Sequence, residues 1–170
     1  MTRDARQVGS VLVELALISS LMLGLLFALI ELGRVLTEFK VLVGQAEAAA
    51  RYLMVRPPGS GRTEASCLAR YGVISNAANC GGGAPVLLGL ASAAITVEDA
   101  VNTPGTRLLQ RTVTATTNEV LGVTVNLVQV KITGYTHTLT GPLGLMNVFG
   151  NGTASITLPT ISSTQRQFAG

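Results

Sequence analysis

At 170 residues the chain has room for one domain, or for one domain and an anchor. Only 12% of it is charged while 48% is hydrophobic, against roughly a quarter charged in an ordinary soluble domain. The formal charge of +3 comes from twelve Lys and Arg scattered singly, and Trp is absent, so the basic runs and stacking platforms of a nucleic-acid-binding protein are missing and no such partner is expected.

The chain opens on a short basic leader, residues 1–9, with Arg3 and Arg6 against Asp4. It runs into Val8-Gly9-Ser10-Val11-Leu12-Val13-Glu14: a glycine, a small residue, then an apolar run broken by one carboxylate. This pattern resembles the processing site of type IV prepilins and pseudopilins. The resemblance implies cleavage between Gly9 and Ser10 by a membrane aspartyl protease, the prepilin peptidase, with Glu14 as the fifth residue of the mature chain. The residue types suit that chemistry. Glycine lets the backbone enter a protease cleft without a side chain in the way. Cleavage creates an α-amino group on Ser10, mostly protonated at neutral pH because its pKa is about 8. Glu14, one helical turn away, can neutralise that amine or the amine of a packed neighbour. Such pairing offsets the cost of a carboxylate in lipid and can set axial register. The plainer reading is an uncleaved signal-anchor whose Glu14 reaches the headgroups.

A spanning helix needs about 20 mostly apolar residues. Leu15 to Ile30 supplies sixteen without a charge, and Ser10 to Ile30 twenty-one with Glu14. Ten of those sixteen are Leu, Ile or Phe, together worth about −3 to −6 kcal/mol on insertion, against about +3 for a carboxylate at mid-bilayer and less near the end, where Glu14 sits. A transmembrane segment over residues 10–30 is expected. The leader arginines favour a cytoplasmic N-terminus and an exported C-terminal part. Ser20, Gly24 and Ala28 recur every four residues as a seam of small side chains suited to packing against another helix.

Beyond the span, Leu32, Val35, Leu36, Phe39, Leu42, Val43, Ala46, Ala49, Ala50 and Leu53 keep spacings of three and four, so one continuous helix over 10–56 should leave the membrane as an amphipathic rod. That is roughly 70 Å of helix, ended by Pro57-Pro58. A cleaved secretory signal fits less well: the apolar stretch is too long, and the first run of small residues, Ala46 to Ala50, lies far downstream.

Residues 57–94 read as a loop region, with Glu64 to Ser75 a short helix or a turn-rich segment. Cys67 and Cys80 lie here. In an exported domain they would form a disulfide closing a short loop, worth about 3 kcal/mol; the alternative is two buried thiols. Residues 95–170 change to a period of two. Ile95 to Val97, Arg111 to Thr117, Gly122 to Leu139 and Gly152 to Leu158 are the strand candidates, the last taken as the final strand. The expected fold is α+β and pilin-like: a long N-terminal transmembrane and amphipathic helix, then a small antiparallel sheet packed on its outer part.

Taken together, the glycine-to-glutamate start, the helix GRVLTEFKVLVGQAEAAARYLMV, the middle piece ARYGVIS…GAPVLLGL and the late VQVKITGYTHTLTGPLGL…GNGTASITLP resemble the TadE-like proteins, minor pseudopilins of the tight-adherence (Tad, or Flp) pilus apparatus. Leu15 stands where that family often has an aromatic, and Leu158-Pro159 where a basic residue often follows the last strand. The resemblance implies a bacterial inner-membrane subunit whose C-terminal domain is periplasmic or carried into an extracellular pilus. It would meet the prepilin peptidase, other pilins, inner-membrane platform proteins and lipid, and act in pilus biogenesis, adhesion, biofilm formation or secretion. A signal-anchored periplasmic binding or assembly module is the competing reading.

Neither an enzyme nor a cofactor is expected. His137 has no second histidine to share a metal site, so no metal is expected. Glu98 and Asp99 are adjacent on a strand, where their side chains point apart. Gly81 to Gly83 and Gly150-Asn151-Gly152 read as turns, the second also preceding a Thr153 that completes a glycosylation acceptor.

Overall fold

The computed structural model describes residues 3–103, 110–113, 123–139 and 154–168. The architecture is α+β: one long apolar helix followed by a small antiparallel sheet. In chain order come α1 (Arg3–Met54), α2 (Arg62–Tyr71), two 3₁₀ turns (Cys80–Gly82 and Leu88–Ala91), then β1 (Ala94–Asp99), β2 (Gln110–Val113), β3 (Val123–Thr133), β4 (Thr136–Thr138), β5 (Ser155–Thr157) and β6 (Ile161–Arg166).

The chain divides into two units, Met1–Thr37 with Thr138–Ile156, and Glu38–His137 with Thr157–Gly170. In the first, the described residues are chiefly α1, whose apolar side chains face outward. The second holds the core. Its sheet is built around β3, the longest strand, which pairs antiparallel with β1 (Val97 opposite Val130), with β2 (Arg111 opposite Val125) and with β6 (Ile132 opposite Ile161). The period-two rule places Val128, Val130 and Ile132 on one face of β3, and all three are buried.

Against that face lies the part of α1 from Leu42 to Leu53. Leu42, Ala46, Ala49, Ala50 and Leu53 are buried, a stripe at helical spacing. Three of the five are alanines, which let the helix backbone come close to the sheet. The core runs as two adjoining clusters. One joins Ala49, Ala50 and Leu53 to Ala65 and Ala69 of α2 and to Val97, Val128 and Val130. The other joins Leu42 and Ala46 to Leu90, Ala93, Ile132, Tyr135 and Ile161. Each fully buried Leu, Ile or Val contributes about 1.5–3 kcal/mol over its exposed state.

The structure departs from the sequence expectations in four places. First, the helix is not confined to 10–56: it starts at Arg3, so the leader continues the helix, and it ends at Met54. Arg56 precedes Pro57, which disfavours the helical conformation there and closes α1 two residues earlier. Second, the inner stripe begins only at Leu42; Leu32 and Leu36 are about half exposed and Phe39 is 37% exposed. Third, Gly122 to Leu139 is not one strand. Gly134, at φ +71°, turns the chain between β3 and β4 in a conformation that side-chain-bearing residues rarely adopt. Fourth, the final strand is β6, not the β5 segment within Gly152 to Leu158. β6 reads ISSTQR, and only Ile161 enters the core while Ser162, Thr164 and Arg166 are exposed. Such a strand carries one apolar residue in six and leaves almost no hydrophobic period to read. Thr114 to Thr117 and the Gly150-Asn151-Gly152-Thr153 turn lie outside the described residues.

Candidate functional site

The N-terminal part of α1 is the candidate functional surface. Gly9, Ser10 and Glu14 lie on the helix and are exposed. Gly9 is helical here, not extended, and a glycine inside a helix weakens it by about 1 kcal/mol relative to alanine. Leu17, Leu21 and Leu29 are about two-thirds exposed. Helix Gly9–Met54 is long and apolar enough to cross a membrane, and none of its most apolar window is buried. A surface of this kind in water would forfeit the burial energy of every one of those side chains, so it requires a bilayer or another helix against it.

Ser20, Gly24 and Ala28 lie four apart along one exposed face. The Ser20 hydroxyl donates to the Leu17 carbonyl at 2.8 Å, which spends its hydrogen within its own helix. A methyl group added at Gly24 would meet nothing within 4 Å, so the seam stands open among the described residues.

A polar constellation that sequence reasoning missed lies farther along. Glu38 sits four residues before Leu42, in phase with the buried stripe. Its Oε2 accepts the Tyr135 hydroxyl at 2.7 Å and lies 2.6 Å from His137 Nδ1. A carboxylate only accepts, so Nδ1 carries the hydrogen. The His137 side chain is 1% exposed and that of Glu38 19%. Burial, and then the hydrogen bond and charge of Glu38, push the Tyr135 phenol above its usual range, which keeps it a donor. A carboxylate this far from water is tolerated because both neighbours satisfy it. The constellation ties the helix to the chain on either side of Thr136, and its geometry is that of a structural joint. The available signal was a glutamate placed at a core phase of the helix, a position that demands a partner.

Cys67, buried on α2, is disulfide-bonded to Cys80 with their Cα atoms 5.3 Å apart. Glu98 and Asp99 do point apart. Glu98 pairs with Lys131 at 2.7 Å on the neighbouring strand. Asp99 is buried and accepts the backbone N–H groups of Gly59, Val101 and Asn102 at 3.1, 3.0 and 2.7 Å, with the Asn102 amide on both oxygens. Burial pushes its pKa up, but these hydrogen bonds outweigh it and hold the carboxyl below its ordinary range. Among the described residues no group of three or more His, Cys, Asp and Glu could hold a metal ion.

Residues 9–51 match the family model described as TadE-like protein. That part of the long helix is similar to the TadE-like family. The match starts at Gly9, covers the exposed apolar segment with Glu14, and ends at Arg51, within the helix that carries the buried stripe. No curated protein and no solved structure matches the chain, and the sheet lies beyond the matched residues.

Proposed function

We propose that this chain is a non-enzymatic subunit of a Tad-type pilus apparatus, a minor pseudopilin made as a precursor and cut after Gly9. The observation that carries the reading is the overlap of the TadE-like match, which begins at the glycine of the processing pattern, with the exposed apolar part of α1. The helix would anchor the subunit in the inner membrane, leader inside, with the sheet-bearing unit on the periplasmic side, where its disulfide is stable.

In this reading Gly9 has two uses. Its weak helix propensity lets a prepilin peptidase unwind the α1 segment around the scissile bond. Its removal then leaves Ser10 as the new N-terminus of an already formed helix. The new amine and Glu14 lie one turn apart, so the anchor can be neutralised within one chain or between two. Other pilins and the platform proteins of the inner membrane are the proposed partners, and the Ser20–Gly24–Ala28 face is the proposed line of helix contact.

The test is the intact mass of the membrane-extracted protein, expressed with and without the peptidase. Loss of residues 1–9 only when the peptidase is present is the expected result. An uncut chain in both samples would overturn the pseudopilin reading and leave a signal-anchored periplasmic module.

A further inference from the structure

The end of α1 and the end of β6 meet in a cluster of hydrogen bonds. Phe168 N–H donates to the Met54 carbonyl at 2.9 Å, and the Gln167 amide donates to the carbonyls of Leu53 and Arg56 at 3.2 and 2.8 Å. The Leu53 carbonyl also accepts the Arg56 N–H at 3.1 Å, so these bonds add to the closure of the helix end. They also bring two arginines and two apolar side chains to one place. The Arg56 guanidinium lies 4.9 Å from the centre of the Tyr52 ring, and that of Arg166 lies 5.4 Å from the centre of the Phe168 ring. Val55 is 65% exposed and Phe168 64%.

Among the described residues neither arginine is in an ion pair. The described ion pairs of this unit use Arg51, Lys131 and His137. Two guanidinium groups are therefore held on aromatic faces, partly ordered before any partner arrives.

We propose that this patch is a docking surface for a protein partner that presents carboxylates on either side of an apolar residue. Three observations select that chemistry. Among the described residues neither guanidinium has a carboxylate partner. The charged groups are arginines, whose planar forks match carboxylates two hydrogens at a time. Exposed Phe168 and Val55 lie among them, and the mix of arginine with aromatic residues is that of interface hot spots, whereas a merely electrostatic surface needs no apolar centre. The proposal does not depend on a pilus role for the chain.

The experiment uses the full chain in phosphatidylcholine nanodiscs and a fluorescein-labelled Glu-Phe-Glu-Gly-Glu-Phe-Glu peptide, with binding read by fluorescence anisotropy. The double variant R56Q/R166Q keeps the Arg56 carbonyl and the Gln167 contacts, and its thermal melt reports whether the fold survives. R56K/R166K, which retains charge without the fork, provides a second variant. The expected result is salt-sensitive binding that weakens about tenfold in R56Q/R166Q and less in R56K/R166K. Replacing Phe by Ala in the peptide should weaken it further. The proposal is overturned if the intact chain does not bind the peptide, or if R56Q/R166Q binds it as well as the parent. Equal binding of dextran sulfate through the same arginines would also overturn it, because the patch would then read charge alone.

Discussion

Gly89→Ala is the substitution that probes the packing of the second unit most directly. Gly89 lies in the 3₁₀ turn Leu88–Ala91, and a Cβ placed on it would fall 2.5 Å from the Thr136 carbonyl oxygen and 2.7 and 2.9 Å from the Tyr135 ring. Neither neighbour can yield cheaply. Thr136 begins β4, and Tyr135 is held at both ends: its hydroxyl donates to Glu38 at 2.7 Å and its carbonyl accepts Leu158 N–H at 2.9 Å. Moving the ring breaks the bond to Glu38, and moving the turn pulls Leu90 from the core, where it is fully buried. Overpacking against a fixed wall costs typically 1–3 kcal/mol, and the loss of a charged hydrogen bond adds about 1.5–3. A destabilisation of about 3 kcal/mol is expected, lowering the melting temperature by roughly 6–12 °C at 2–4 °C per kcal/mol. The assay is thermal and urea unfolding of the detergent-solubilised chain by circular dichroism, with Gly83→Ala as control. A side chain at Gly83 meets nothing within 4 Å and its backbone is extended, so that variant should stay within about 0.5 kcal/mol of the parent. A Gly89→Ala melt indistinguishable from the Gly83→Ala melt would refute the close approach.

Three further outcomes follow from the geometry. Cys67→Ser/Cys80→Ser, or reduction of the parent with dithiothreitol, should cost about 3 kcal/mol, the expectation for a short closed loop, read as a drop in urea midpoint. Glu38→Gln should lower stability by about 2 kcal/mol, because both the Tyr135 hydroxyl and the His137 ring lose their charged acceptor. Tyr135→Phe should recover part of that loss in the double variant, which a double-mutant cycle would measure. For Asp99 the sign follows from its lowered pKa: as pH falls, the unfolded chain binds the proton first. Its stabilisation is therefore complete above the usual value of 3.8 and disappears as pH falls through the lower folded-state value. Asp99→Asn should flatten that acid limb in urea titrations between about pH 2 and 5.

The long apolar helix was legible because it depends on local properties. A run of apolar residues, a glycine and a single glutamate declare themselves in order along the chain, and the hydrogen bonds of a helix close within four residues. The fold class and the disulfide-bearing region were legible for related reasons, a change of period near Ile95 and two cysteines in one short stretch. The sheet was less so. β6 enters through its pairing with β3 and gives the core only Ile161, so nothing in ISSTQR marks a strand until its partner is present. The Glu38 joint is longer-ranged still, since its carboxylate meets residues about a hundred positions later. Likewise Gly89 and Thr136 are ordinary residues in sequence, and only folding puts a backbone oxygen where a side chain would be. Sequence alone determined that a helix would form and that its first part would be too apolar for water. Tertiary structure decided which side of the rod is covered and how a buried carboxylate is satisfied, because those depend on contacts between segments far apart in the chain.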